Sequence, residues 1–136
     1  MNSFPLKIVT PDGLQFDGMA QELIVRTTSG DLGILAGHIN CVAPLGMGQA
    51  RVVTDGQKRH AACIGGMLSV VNGQVTLVPT TFEWADQIDA SRAEASKNRA
   101  EAVLQDKNAT DTEIRLAEAR LKRALVRKSV ASNKPY

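Results

Sequence analysis

The stretch Trp84-Ala85-Asp86-Gln87-Ile88 divides this 136-residue chain into two kinds of sequence. All 11 glycines lie at or before Gly73, and after Asp89 neither glycine nor proline occurs until the last two residues. Charge divides in the same way, because residues 1–84 hold 5 basic and 6 acidic residues, whereas residues 85–136 hold 11 basic and 8 acidic residues. We therefore predict two domains, 1–84 and 85–136, the first near neutral and the second cationic.

The first domain has the pattern of short strands separated by turns. Asp55-Gly56 and Asn72-Gly73 each separate two strand-like segments, and these dipeptides are typical of two-residue hairpins. Gly65-Gly66 between two strands indicates a bulge or a close approach of two backbones. Strands at roughly ten-residue spacing predict a small antiparallel sandwich or barrel. We expect strands over residues 6–9, 14–16, 21–27, 49–54, 57–64, 67–71 and 74–78.

The second domain has the pattern of two amphipathic helices. Thr110 followed by Glu113 is a capping box, which marks the start of the second helix after a short break. We therefore predict an antiparallel helical hairpin, and the whole chain is of the α+β class. The apolar faces are narrow and rich in alanine, so the hairpin should bury little area and dock weakly. Their members are Ala93, Ala100, Val103 and Leu104 in the first helix, and Ile114, Ala117, Leu121, Ala124 and Leu125 in the second.

Composition narrows the class of protein. Hydrophobic residues make up 43% and charged residues 22% of the chain, as in ordinary globular proteins. Apolar runs are only a few residues long, so we expect no membrane-spanning segment and no signal peptide. The two cysteines, Cys41 and Cys63, should be reduced and packed as small hydrophobic residues in an intracellular protein.

No catalytic arrangement is evident from the residues. His38 and His60 lie in unrelated contexts, and neither cysteine has a catalytic signature. The glycine motifs Gly30-Asp31-Leu32-Gly33 and Gly46-Met47-Gly48 lack the Gly-Lys-Ser/Thr of a phosphate loop. Two histidines and two cysteines also make no convincing zinc site. We therefore expect no enzymatic activity and no metal, and a turn or interface role for His38.

The arginines of the second domain are its most informative residues. Arg92 and Arg99 are seven residues apart and therefore share a helix face. When the hairpin is folded about Ala109, both should lie opposite arginines of the second helix. Four or five guanidinium groups would then converge along one seam, where they would suit phosphate oxygens. The arginines on the second helix are Arg120, Arg123 and Arg127.

Other interpretations of the arginine seam remain open. It can be a solvated cationic face with local pairs such as Asp111–Arg115 and Glu118–Lys122. It can also dock onto an acidic protein surface, for which Arg120 and Lys122 are the candidate contacts. Nucleic acid binding is disfavoured because one Trp and one Tyr provide no stacking platform.

Three stretches, taken in order, resemble the epsilon subunit of bacterial F-type ATP synthases. They are Ile8-Val9-Thr10-Pro11-Asp12-Gly13, the segment from Gly30 to His38, and Gly65-Gly66-Met67-Leu68-Ser69-Val70. The order of strands and helices and the overall length also match, so the resemblance covers nearly the whole chain. It implies a ten-stranded β-sandwich followed by two helices.

The resemblance also implies a non-catalytic rotor subunit of the central stalk, peripheral at the cytoplasmic side of the bacterial cell membrane and not inserted into it. In that family the sandwich binds the gamma subunit and lies on the c-subunit ring. The hairpin folds down on the sandwich or extends toward the alpha and beta subunits, where it blocks ATP hydrolysis. Asp31 and His38 lie in the segment that resembles the ring-facing loop.

A regulatory ATP site is the sharpest expectation from the resemblance. Ile88-Asp89-Ala90-Ser91-Arg92-Ala93 matches the I/L-D-x-x-R-A motif by which some epsilon subunits bind ATP, although Asp89 also suits a helix cap. The matching positions are Glu83, Ile88, Asp89, Arg92, Ala93, Arg99, Arg123 and Arg127. No cofactor is required, and ATP is the expected regulatory ligand. A free-standing ATP-binding sensor or adaptor is the alternative function.

Overall fold

The computed structural model describes residues 2–132, which form ten strands, a 3-10 turn and two α-helices. The 3-10 turn Ala85–Gln87 leads from the last strand into helices α1 (Ala90–Gln105) and α2 (Asp111–Ser132). This arrangement confirms the α+β class, with a β-sandwich followed by a helical hairpin. The strands are β1 Phe4–Thr10, β2 Gly13–Ala20, β3 Glu22–Thr27, β4 Gly30–Ile34, β5 Cys41–Pro44, β6 Met47–Thr54, β7 Gln57–Ile64, β8 Met67–Val71, β9 Gln74–Val78 and β10 Thr81–Trp84.

The strands form two five-stranded sheets, ordered β2-β1-β9-β8-β5 and β10-β7-β6-β3-β4. Neighbouring strands pair antiparallel except β1 and β9, which run parallel with Leu6 opposite Val75 and Ile8 opposite Leu77. The antiparallel sandwich predicted from the residues is therefore mixed at one pairing. The reason is that β1 lies between its own hairpin partner β2 and a strand from the far end of the domain.

The two predicted hairpin turns are confirmed by their backbone angles. Asp55 and Gly56 have φ of 51° and 74°, and Asn72 and Gly73 have φ of 49° and 82°. Both central residues of each turn are thus in the left-handed region, which matches the right-handed twist of the flanking strands. These turns fix the register of β6 with β7 and of β8 with β9.

The predicted close approach at the double glycine is also confirmed. Gly66 has φ +98°, and a Cβ atom there would overlap the carbonyl oxygen of Val78 and lie 2.6 Å from Cα of Pro79. The chain therefore crosses the start of the connection between β9 and β10 at a distance that only glycine permits.

The core lies between the two sheets and is built from alternate residues of nearly every strand. Leu6, Ile8, Leu23 and Leu77 are no more than 1% exposed, and Trp84 closes one end. Cys63 belongs to this core, and its burial raises the thiol pKa to about 12. Cys63 therefore behaves as the small buried hydrophobic residue that was predicted, whereas Cys41 is only half-buried.

Helix α2 begins with the predicted capping box. The backbone N–H of Glu113 donates to Oγ1 of Thr110 (3.2 Å), and the N–H of Thr110 donates to Oε1 of Glu113 (3.2 Å), which confirms the capping box.

Neither α1 nor α2, nor the 3-10 turn before them, has the length and hydropathy of a membrane-spanning helix.

The two helices pack on each other through alanine faces, as predicted, and α2 rests on the second sheet. Ala93 and Ala100 of α1 and Ala117 and Ala124 of α2 are buried, and α2 contacts β6, β7 and the 3-10 turn. Leu125 was predicted on this apolar face but is 44% exposed. That prediction is wrong, because the small residues bring the helices close along a narrow stripe that leaves Leu125 outside.

Candidate functional site at the hairpin junction

The alternation of β10 places one acidic side chain under the hairpin. Phe82 and Trp84 point into the core, with ring centroids 4.9 Å apart. Thr81 and Glu83 therefore point to the outer face, where they lie opposite Ile64 and Ala62 of β7. The sheet thus presents a half-buried carboxylate to α2.

Glu83 holds the hairpin through a two-point ion pair with Arg127 of α2. Nε of Arg127 donates to Oε1 of Glu83 (2.7 Å), and Nη2 donates to Oε2 (3.2 Å). A second ion pair, between Lys128 of α2 and Glu94 of α1 (2.7 Å), joins the two helices and lowers the pKa of Glu94. Charged contacts therefore fasten the end of α2 to both the sheet and α1.

Asp89 caps the start of α1 by bonding the backbone of Arg92. Its carboxylate accepts a hydrogen bond from the backbone N–H of Arg92 (3.1 Å), so it is the N-cap of the helix. Ile88 is half-buried just before this cap, and Ala93 is fully buried. These contacts give all three residues a structural role in setting the direction of α1.

Three adjoining clefts surround the hairpin junction. The α1 cleft, of about 370 Å³, is lined by Arg92, Ala95, Ser96, Arg99 and Arg127. The sheet cleft, of about 270 Å³, is lined by Ile64, Thr81, Glu83, Ser96, Arg120, Arg123, Ala124 and Arg127. The interhelical cleft, of about 440 Å³, is lined by Ser96, Arg99, Ala100, Val103, Glu113, Leu116, Ala117 and Arg120.

The clefts bring together Glu83 and the arginines of the predicted ATP site. Glu83 and four predicted arginines line at least one cleft, whereas Ile88, Asp89 and Ala93 line none of the three. The clefts also include Ser96, which was not predicted, and Arg120, which was predicted in the arginine seam but not among the positions matched to the ATP motif. The four arginines are Arg92, Arg99, Arg123 and Arg127.

The guanidinium groups in the clefts are mostly uncompensated. Arg127 is paired with Glu83, but among residues 2–132 no hydrogen bond or ion pair engages the guanidinium groups of the other four arginines, Arg92, Arg99, Arg120 and Arg123. Adjacent cationic forks of this kind suit a ligand with several anionic oxygens. The local pairs considered as an alternative, Asp111–Arg115 and Glu118–Lys122, do not form in the described part of the chain, where Lys97 instead pairs with Glu94 and Glu101.

Of the four candidate partner contacts, Arg120 lines two of the junction clefts, whereas Asp31, His38 and Lys122 line none of the three. Asp31 on β4 is exposed and forms an ion pair with Arg26 of β3. His38 lies in the loop between β4 and β5, where its Nδ1 is 2.8 Å from the carbonyl oxygen of Ile39. Lys122 is exposed on α2.

A further cleft of about 590 Å³ lies on the outer face of the second sheet. Its arginines are occupied, since Arg26 pairs with Asp31 and Arg51 pairs with Glu22. His60 lies in its wall, only 4% exposed and hydrogen-bonded through Nδ1 to Gln49. Because both of its arginines are already paired, and Lys58 is the one further cation among its described lining residues, this cleft is a weaker anion site than the junction. Among residues 2–132 no group of His, Cys, Asp or Glu is arranged to hold a metal ion.

The structure defines the class of protein as a β-sandwich followed by a folded helical hairpin, with arginines where the two meet. Two family models match it in order. The ATP synthase Delta/Epsilon chain beta-sandwich domain matches residues 3–85, and the Delta/Epsilon chain long alpha-helix domain matches residues 86–132. The chain belongs to the ATP synthase delta/epsilon family and is an epsilon subunit of the F-type ATP synthase.

Similar proteins agree over the full length of the chain. The ATP synthase epsilon chain of Bacillus velezensis is 48% identical over 133 residues, which cover 98% of this chain and 100% of that protein. The ATP synthase epsilon chain of Ruminococcus albus is 43% identical, with the same coverage. Family membership favours the stalk subunit over the free-standing sensor.

Two solved structures share the fold. A chain of the Euglena gracilis mitochondrial ATP synthase aligns with a TM-score of 0.83 at 22% identity, over 93% of this chain and 80% of that chain. A chain of the central stalk and c-ring of the Tetrahymena thermophila mitochondrial ATP synthase aligns with a TM-score of 0.60 at 14% identity, over 93% and 95% of the two chains.

Proposed function

We propose that this epsilon subunit is a non-catalytic rotor component of the central stalk that couples proton translocation to ATP synthesis. The sandwich binds the gamma subunit and the c-subunit ring, and the hairpin reaches the alpha and beta subunits when it leaves the sandwich. The extended hairpin inhibits ATP hydrolysis, and ATP bound at the junction holds the hairpin down. The subunit lies peripherally at the cytoplasmic side of the bacterial cell membrane.

The outer face of the first sheet supports contact with the gamma subunit. Met67 and Val78, neighbours across β8 and β9, are part of an apolar set that is between 43% and 65% exposed. An apolar set of this kind on one sheet face is typical of a protein–protein interface. The set comprises Leu14, Val42, Met67, Val71 and Val78.

The loop between β4 and β5 supports contact with the c-subunit ring. Leu35 is 58% exposed and Ile39 is 77% exposed, and they flank the candidate contact His38. Exposed apolar side chains at the tip of a connection between short strands are poorly placed for the core and well placed for a partner. Asp31, on β4 before this loop, adds a charged contact.

The observation that carries the ATP-gated brake is the convergence of Glu83 and the arginines of both helices at the hairpin junction. The site includes residues of the sheet, α1 and α2, so it is complete only while the hairpin is folded. A ligand that binds only the folded arrangement shifts the population toward it by its differential affinity. ATP, with four negative charges in its free form, provides the oxygens that these guanidinium groups lack.

Add-back to an epsilon-depleted ATP synthase tests this proposal. We expect wild-type protein to restore coupling and to inhibit ATP hydrolysis at low ATP, with release of inhibition as ATP rises. Arg92→Ala should require at least about tenfold more ATP for release, because a hydrogen bond to a charged group contributes about 1.5–3 kcal/mol. Arg115→Ala is the matched control, since Arg115 is exposed on α2 and lines none of the three clefts.

Two results would contradict the proposal. A depleted complex whose hydrolysis and proton pumping ignore added wild-type protein would exclude the coupling and braking role. An ATP dependence that is the same for wild type, Arg92→Ala and Arg115→Ala would separate the brake from the arginine clefts.

A further inference from the structure

Ser96 of α1 lies where the three clefts meet. It lines the α1 cleft, the sheet cleft and the interhelical cleft. It is half-buried, and within residues 2–132 its hydroxyl makes no hydrogen bond. Arg92 precedes it by four residues and Arg99 follows it by three, so all three share one helix face. A hydroxyl donor therefore stands between two guanidinium groups with no partner inside the described chain.

Arg120 of α2 approaches the same point from the opposite helix. It lines the interhelical cleft together with Arg99 and the sheet cleft together with Arg123. Glu113 also lines the interhelical cleft, but its carboxylate accepts the N–H of Thr110 in the capping box. The cations around Ser96 thus outnumber the carboxylates that face it.

The position of Glu83 indicates which way a nucleotide would lie in the clefts. A carboxylate repels phosphate and accepts hydrogen bonds from amino groups, so the phosphate chain of a nucleotide avoids the Glu83 end. Ser96 and Arg120 line the sheet cleft together with Glu83, but they also line the interhelical cleft with Arg99, and Glu83 does not line that cleft. Phosphate oxygens there meet one hydroxyl and two guanidinium donors.

We propose that Ser96 and Arg120 bind the terminal phosphate of a nucleoside triphosphate in the site described above, and that they set its preference for triphosphate over diphosphate. This inference rests on the proposed ATP-binding function and extends that site to two residues outside its motif. A nucleoside diphosphate bound with its base toward Glu83 ends one phosphate short of the Ser96–Arg120 position, so the two residues contribute to triphosphate binding alone.

Calorimetric titration of the full chain tests the inference, with ATP, ADP and inorganic tripolyphosphate as the probes. We expect Ser96→Ala and Arg120→Ala each to weaken ATP and tripolyphosphate binding about tenfold and to change ADP binding less than about twofold. Alanine favours the helix more than serine does, so Ser96→Ala should not unfold α1. Ser91→Ala and Arg115→Ala are matched controls, being exposed on the same helices and lining none of the clefts.

The outcomes separate this inference from the proposed function. Wild-type protein that binds none of the three probes would overturn the ATP site itself. Wild-type binding with both test variants equal to their controls would leave the ATP site in place and overturn the role of Ser96 and Arg120. An equal loss for ATP and ADP would overturn the assignment to the terminal phosphate.

Discussion

The sandwich and the hairpin of this epsilon subunit are held together by different interactions. The sandwich buries leucine, isoleucine, valine and aromatic side chains between its sheets. Up to residue 132, by contrast, four of the six buried hairpin residues are alanines between the helices. A buried leucine contributes about 1.5–3 kcal/mol, and a single methyl or methylene group contributes only about 0.8 kcal/mol. Hydrophobic burial therefore stabilises the sandwich more than it stabilises the docking of the hairpin.

The charged contacts of the hairpin follow from this weak burial. Glu83–Arg127 joins the hairpin to the sheet, and Glu94–Lys128 joins its two helices. Both pairs are partly exposed, so salt screens them and a polyanion competes for them. An arm fastened in this way can respond to a ligand without any change in the sandwich.

We expect the largest loss of stability from a substitution inside the sandwich, at Gly66. Gly66→Ala places a Cβ against the backbone of Val78 and Pro79 at a left-handed φ of +98°. We expect a loss of at least about 3 kcal/mol in the free energy of unfolding, since backbone strain adds to a clash that no side chain can relieve. Urea denaturation of the full chain measures this loss.

Gly56→Ala is the matched control for that substitution. Gly56 also has a positive φ, +74°, but a Cβ there meets nothing within 4 Å. We expect it to cost only about 1 kcal/mol, from backbone strain alone. If the two variants lose the same free energy of unfolding, the close approach of Gly66 to Val78 does not add to the cost of the substitution.

A smaller effect is expected where the two regions meet. Glu83→Gln removes one charge of the pair with Arg127 but retains the shape of the side chain. Because Glu83 and Arg127 are 35% and 26% exposed, we expect the docked hairpin to lose about 0.5–1 kcal/mol. In nucleotide-free protein this corresponds to a few-fold faster hydrogen exchange of the α2 amides, with exchange in β6 and β7 unchanged.

Glu101→Gln provides the comparison for Glu83→Gln. Within residues 2–132, Glu101 pairs only with Lys97 on its own helix, at 3.6 Å, so its loss should not alter docking. If α2 exchanges at the same rate in wild type, Glu83→Gln and Glu101→Gln, the Glu83–Arg127 pair does not fasten the hairpin.

The sequence predicted the inner strands of the sandwich better than its edges. The hairpins around Asp55-Gly56 and Asn72-Gly73 carry their own turn signal, so β6 to β9 were expected close to where they lie. The strands β4, β5 and β10 were not predicted from the residues, and the resemblance alone implied ten. Each is at the edge of a sheet and has only four or five residues, which is too short for a distinct alternation and depends on pairing with a neighbour.

The candidate site shows the same limit. Helical spacing predicted that arginines of α1 and α2 would converge, because charge and period are both readable from sequence. Ser96 is uncharged and belongs to no periodic set of arginines or apolar residues, although its position three residues before Arg99 places it on the same helix face. Arg120 was predicted both in the arginine seam and as a partner contact, because only the packing of the two alanine faces determines which side of α2 turns toward the junction.

The smallest effect we expect is a pH dependence of the sandwich under the hairpin, at His60. Burial, together with the cations Arg51 and Lys58, lowers the pKa of His60 below its usual 6.5. The unfolded chain therefore binds a proton at a pH at which the folded chain does not, so His60 leaves stability intact above about pH 6.5 and reduces it as the pH falls below that value. Urea midpoints between about pH 7.5 and about pH 5.5 should fall in His38→Gln, where His60 is the sole histidine, and fall less in the double variant His38→Gln/His60→Gln. Parallel slopes in the two proteins would mean that the proton taken up on unfolding is not bound by His60, and that the outer face of β7 tolerates the charge.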